Sequence, residues 1–138
     1  MKCEAIVKQF CEHMQASEHL SGINIFTEFP GTKQELPLRQ TIISVGLKSV
    51  KVEADDENPV IKSGNSLMEA TMSVTICSPK YASGNSVCAH IDHVLASFEE
   101  LQSIFAFKKI LVGELKYSNT LGTLVTVIEA TVMAGQLY

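Results

Sequence analysis

Arginine is nearly absent from this sequence. Arg39 is the single guanidinium in 138 residues, and 11 lysines and arginines face 15 aspartates and glutamates, a formal net charge of -4. Neutralising a phosphate backbone takes clustered cations, so this balance argues against a nucleic-acid binder. Long apolar runs are missing as well. The first residues, Met1-Lys2-Cys3-Glu4-Ala5-Ile6-Val7-Lys8, alternate charge with apolar side chains, whereas a secretory signal needs an unbroken apolar run of about 7–15 residues. Nothing approaches the roughly 20 apolar residues of a membrane span. The expectation is a soluble chain made in the cytoplasm, with no membrane partner.

Cysteine is sparse, and its pattern excludes more than it offers. Cys3, Cys11, Cys77 and Cys88 form no C-x-x-C pair and accompany no paired-histidine motif, so no zinc site is expected. Cys3, Cys11 and Cys88 fall on apolar helical positions, where a reduced thiol packs as a small hydrophobe. Catalytic signatures are missing too. There is no G-x-S-x-G elbow, no P-loop and no G-x-G-x-x-G. The expectation is no catalytic residue, no cofactor and no metal.

What remains is the material of one folded domain over 1–138. Hydrophobic residues make up 46% of the chain and charged residues 19%, ordinary to slightly low values for a globular protein. A chain of this length buries roughly two-thirds of its unfolded surface, enough for one core.

The periodicity supplies the elements. Over 2–18, Cys3, Ile6, Val7, Phe10, Cys11 and Met14 recur every three or four residues, the stripe of an amphipathic helix. Ser21-Gly22 ends it, and Ile23, Ile25, Phe26 and Phe29 predict a short strand stopped by Pro30-Gly31. A loop of about eleven residues, 30–40, follows; loops this long are usually either disordered alone or functional. From Thr41 to Ala54, Ile43, Val45 and Leu47 share one parity while Val50 and Val52 share the other. A parity switch near Gly46-Leu47-Lys48-Ser49 predicts a bulge. A second loop spans about 54–66.

Residues 67–77 alternate cleanly, with Met68, Ala70, Met72, Val74 and Ile76 against Glu69, Thr71, Ser73, Thr75 and Cys77. That pattern belongs to an antiparallel strand with one buried and one wet face, and Ser78-Pro79 ends it. Ser83-Gly84-Asn85-Ser86 opens a second helix, with Asn85 or Ser86 as its N-cap. Val87, Cys88, Ile91, Val94, Leu95, Phe98 and Leu101 form its apolar face, and His90, Asp92, His93, Ser97, Glu99 and Glu100 fall mostly on the other. Two more strands, Phe107 to Tyr117 and Leu121 to Met133, meet at a turn over Ser118-Asn119-Thr120. The order α-β-β-β-α-β-β, with strands in runs, predicts an α+β domain: a mixed or antiparallel sheet of about four to five strands packed by two helices.

Both closing strands are apolar on each face. Leu111, Leu115 and Tyr117 oppose Ile110 and Val112; Val125 and Val127 oppose Leu124, Ile128 and Val132. An eleven-residue strand runs roughly 36 Å and a seventeen-residue helix some 25 Å. Two helices can therefore cover one face of the sheet and leave the other. A neighbouring subunit is the economical cover, since larger apolar patches mark interfaces. A sheet curled on itself is the alternative.

The polar candidates carry little chemistry. His90 and His93 stand one helical turn apart without an acidic third ligand, so they read as solvated histidines. His13 and His19, six apart, do not meet. Gly84 precedes a helix and reads as part of a cap more readily than as an anion site. Asp55-Asp56-Glu57 offers oxygens but lacks the spacing of a calcium loop, and reads as a solvated turn or a charged contact with a neighbour.

Three segments nevertheless form a familiar series: Thr41-Ile42-Ile43-Ser44-Val45-Gly46-Leu47-Lys48-Ser49-Val50 around V-G-L-K; Val74-Thr75-Ile76-Cys77-Ser78-Pro79-Lys80 leading through Ser83-Gly84-Asn85 into the helix; and Gly113-Glu114-Leu115-Lys116-Tyr117 with the final hairpin. Together with the N-terminal helix this resembles the tail terminator, or tail completion, proteins of bacteriophages and phage-tail-like bacteriocins. The resemblance implies a subunit of a six-membered ring that caps the last tube ring, stops polymerisation and offers a docking surface for the head or collar. Its partners would be copies of itself, the tail tube protein and, in contractile particles, the sheath. DNA would pass the acidic lumen without specific binding. The chain would work in the bacterial cytoplasm during assembly and then in the virion or tail-like particle.

The resemblance identifies no interface residue. Exposure logic alone selects Leu36, Leu38 and Arg39 in the first loop, Asp55, Asp56 and Glu57 in the second, and Val125 and Val127 on the last strand. Two other readings stay open: another neck or connector subunit of the same particle, and a small cytoplasmic α+β ligand-binding protein or enzyme.

Overall fold

The computed structural model describes residues 3–27, 40–53, 67–79, 84–118 and 123–136. The first stripe forms helix α1, Cys3–Ala16. Ser17 then caps a single 3-10 turn, Glu18–Leu20, by accepting a hydrogen bond from the His19 amide. Gly22, at φ 84°, takes the left-handed conformation that glycine reaches without a Cβ penalty, and the chain enters β1, Asn24–Thr27.

The remaining elements are β2 (Ile42–Glu53), β3 (Leu67–Pro79), α2 (Gly84–Leu101), β4 (Ala106–Val112), β5 (Lys116–Ser118) and β6 (Thr123–Gln136). They make one mixed sheet in the order β1-β2-β3-β6-β4, with β5 also on β6. The β1–β2 pair is parallel and the others are antiparallel. The domain is α+β, as the grouping of strands predicts. Six strands appear where five are expected because the edge beside β6 is broken. Val112 pairs with Ile128 and Lys116 with Val125, so residues 113–115 oppose only Thr126 and Val127. The hairpin expected at the end of the chain is the β5–β6 pair; its turn lies outside the described residues.

β3, α2 and β4 form a split β-α-β unit, with β6 inserted between two parallel strands. This crossover lays α2 on the same face as α1. The core between helices and sheet holds Phe10, Met14, Leu20, Val94, Phe98 and Leu101 against Ile43, Val45, Met72, Val74, Ile76, Ile128, Ala130 and Val132. Four phenylalanines knit it: Phe10 lies 5.5 Å from Phe98, 5.6 Å from Phe105 and 6.1 Å from Phe107, ring centre to ring centre. These tilted and edge-on arrangements suit the aromatic quadrupole.

The parity switch in β2 is a bulge. Register shifts between Leu47 and Ser49, which leaves Lys48 as the extra residue. Val50 and Val52 thereby return to the face of Ile43, Val45 and Leu47, and all five join the helix-side core. An unbulged strand would have turned the two valines to the opposite face.

Some expectations need correcting. α2 already begins at Gly84, so Asn85 and Ser86 lie within its first turn and do not cap it. Ser97, expected on the wet face, is buried and donates its hydroxyl to the Val94 carbonyl at 2.6 Å, the local bond that makes a buried helical serine tolerable. Cys88, expected on the apolar face, is exposed. Cys77, expected on the wet face of its strand, is fully buried beside Ile42, with Phe26 and Val125 packed around it.

Candidate interface

The face of the sheet opposite the helices carries a row of small and polar side chains. Cross-strand registers align Ser44 with Thr75 and Val127, Gly46 with Ser73 and Glu129, and Ser49 with Thr71 and Thr131. The Thr71 and Thr131 hydroxyls are hydrogen-bonded at 3.0 Å. The bulge at Lys48 aims its ammonium across the sheet onto the Glu129 carboxylate. A second bulge, between Phe107 and Lys109, lets Lys108 reach Glu69. Two bulges thus create two cross-strand ion pairs on one face. Lys48, Ser49, Thr71, Lys109, Leu111, Glu129 and Thr131 line a shallow basin of about 180 Å³ there, far smaller than a typical ligand site.

The edge formed by β4, the break and β5 is different. Ile110, Leu111, Val112, Leu115 and Tyr117 are all exposed, from 39% to 52%, and Ile104 just before β4 is 45% exposed. These six are the exposed large hydrophobics among the described residues. By register, Ile110 faces the helix side with Ala130, and Val112 with Ile128, while Leu111 lies on the open side opposite Glu129. The strand is therefore apolar on both faces, and neither helix reaches far enough to cover it. Among the described residues no strand pairs with its outer side. Clustered exposed apolar residues on an unpaired edge are the features by which candidate interaction surfaces are found.

Val125 and Val127 are half-buried on the open face of β6. Val125 packs into the small cluster with Ile42, Cys77 and Phe26, so it is partly committed to the fold. Val127 pairs with Thr75, and its carbonyl accepts the Gly113 amide at 2.8 Å. Leu36, Leu38, Arg39, Asp55, Asp56 and Glu57 lie outside the described residues. The structure thus relocates the centre of apolar exposure by one strand, from β6 to β4–β5. The signal was present in the two-faced pattern of Ile110 to Tyr117. Val125 and Val127 are apolar in the same way, and sequence alone does not say which of two paired strands is the edge.

Titratable groups add little chemistry. Burial pushes the Cys77 thiol up to about 11, and burial, then the neighbouring Glu12, raises that of Cys11. Both stay protonated and poorly nucleophilic near neutrality. Desolvation, and next the proximity of His93, lowers the pKa of His90, whose Nδ1 is buried with no hydrogen-bond partner. Among the described residues no group of three or more His, Cys, Asp and Glu side chains is placed to hold a metal ion, and no helix is long and apolar enough to cross a membrane. The sequence matches no family model and no curated protein.

Proposed function

We propose that this chain is the subunit of a ring, six-membered by resemblance, that caps the end of a phage-like tail tube, ends tube and sheath polymerisation, and presents the surface on which a head or collar docks. The observation that carries the reading is the β4–β5 edge, where five large apolar side chains lie exposed along one sheet margin, the kind of cluster that interaction surfaces present. A closed ring needs contacts between unlike patches of neighbouring subunits. This edge supplies one patch, and the open sheet face around Val127 lies beside it. The acidic balance of the chain suits a protein that meets other proteins and lets DNA slide past.

The test is assembly with tail tube protein. Addition of the chain to polymerising tubes should shorten them and leave a cap of about six subunits at one end, seen by electron microscopy and by native mass spectrometry at six times 15.1 kDa. Val127→Glu should abolish capping while leaving the fold intact by circular dichroism. Tubes of unchanged length with the wild-type chain would overturn the reading.

A further inference from the structure

The β4 edge carries enough detail to fix the partner that fits it best before any tube is present. In an antiparallel ladder, backbone groups alternate between the two sides of a strand. The Gly113 amide bonds to the Val127 carbonyl, and Val112 is paired with Ile128. Residues 111 and 113 therefore turn their amides and carbonyls inward to β6, while those of Ile110 and Val112 point outward. Any added strand must bond to Ile110 and Val112.

We propose that the unassembled chain pairs with a second copy of itself, β4 to β4 and antiparallel across a two-fold axis at Leu111. In this register Ile110 of each copy exchanges both backbone bonds with Val112 of the other, and all four outward groups of each strand are satisfied. The two Leu111 side chains, each half exposed, meet on the open face. On the helix side, Ile110 and Val112 of each copy lie beside Val112 and Ile110 of the other, covering residues now 39% and 41% exposed. The Lys108-Lys109 end of one edge comes against the Gly113-Glu114 end of its mate, so the charges are complementary. Neighbouring registers are worse. An axis at Val112 sets Ile110 against Glu114 and Leu111 against Gly113, so neither apolar side chain meets its like. An axis at Ile110 sets Leu111 against Lys109. The bulge before Lys109 and the break after Val112 confine the ladder to about five residues, which makes the pairing reversible.

The pairing gives the ring proposal a regulatory step and rests on it for that meaning: the edge that would meet a ring neighbour is occupied by a second copy until assembly exchanges it.

The experiment is disulfide trapping with sedimentation, in a Cys3→Ser, Cys88→Ser background. Leu111→Cys places two thiols at a non-hydrogen-bonded pair, with Cα atoms about 4.5 Å apart, inside disulfide range. Ile110→Cys places its two copies roughly 8 Å apart by strand rise and spacing, outside that range. Leu111→Cys should form a covalent dimer about tenfold faster than Ile110→Cys, and Ile110→Cys mixed with Val112→Cys should form the heterodimer. The parent chain should sediment as a concentration-dependent dimer that Leu111→Asp, an exposed substitution, converts to monomer. A monomeric parent chain, or equal trapping at 110 and 111, would overturn the pairing. A trapped dimer whose reduced form never caps tubes would leave the pairing standing and overturn the ring reading; capping without the 111–111 disulfide does the reverse.

Discussion

The Ser17 hydroxyl donates a 2.7 Å hydrogen bond to Oε1 of Glu100, joining the end of α1 to the end of α2 across 83 residues of sequence. The same oxygen of Ser17 accepts the His19 amide, and His19 Nε2 stands 3.5 Å from the same carboxylate oxygen. Ser17 is 4% exposed, so its hydroxyl has little access to water should Glu100 be removed. Ser17→Ala should cost about 1–2 kcal/mol, most of it the lost cap, because the Glu100 carboxylate is half exposed and water replaces its bond. Glu100→Gln should cost less, because the amide oxygen still accepts. Urea unfolding of the three proteins checks the order.

Phe10 contacts three other rings at the centre of the core and is fully buried. Phe10→Ala should destabilise the domain by about 3–5 kcal/mol, and Phe10→Leu by distinctly less. Calorimetry should show the alanine variant melting far below the parent, whereas Leu111→Ala, at an exposed site, should melt within a few degrees of it.

The proton balance at His90 sets a direction for pH. Its folded pKa lies below the ordinary histidine value because of desolvation and, second, His93. Between those two values the unfolded chain binds more protons than the folded one, so stability rises with pH there and falls on acidification below about 6.5. His90→Gln should flatten the stability profile on the acid side of about pH 6.5. His93→Gln should flatten it only in part, since desolvation remains. Denaturant midpoints at a series of pH values report both.

Gly113 sits where β4 gives way to the break, and a Cβ built there would stand 3.0 Å from the Val127 carbonyl oxygen. That oxygen accepts the Gly113 amide, so it cannot retreat without losing the bond. Gly113→Ala should cost roughly 1–2 kcal/mol and raise amide exchange along β5. A variant as stable as the parent, with unchanged exchange, would show that the edge gives way at no expense.

Thiol accessibility should divide cleanly. Cys88 is exposed, while Cys11 and Cys77 are buried with raised pKa values. In a Cys3→Ser background one thiol should react with a disulfide reagent within minutes at pH 8, and two more should react only on unfolding. Modification of Cys77 in the native state would show that the Ile42–Phe26–Val125 cluster opens.

Much of this architecture is written in side-chain period. The stripe from Ile6 to Met14, the alternation from Ala70 to Ile76 and the parity switch in β2 each have a local physical cause, and each led to the observed element. The bulge at Lys48 is legible because only an extra residue lets Ile43 and Val52 share a core. The errors arise where tertiary contacts override local pattern. Cys77 has the parity of a wet residue, but Ile42 and Phe26 cover it from other strands. Ser97 looks solvent-facing by polarity, yet its own helix satisfies its hydroxyl and frees it to be buried. The exposed edge is half legible: the residues from Ile110 to Tyr117 stand out as apolar on both faces, but only the order of strands makes β4, and not β6, the edge.

The insertion of β6 between β3 and β4 has a consequence for how the molecule comes into being. β6 follows every other described strand in the sequence, yet it holds the middle of the sheet. Until it is synthesised, β3 has no partner on that flank and β4 none at all, so the helix layer has only part of its floor. Pairings of this kind form late and slowly, since distant segments must meet first. A nascent or truncated chain would thus lack the assembled β4–β5 margin, which arrives only with completion of the fold.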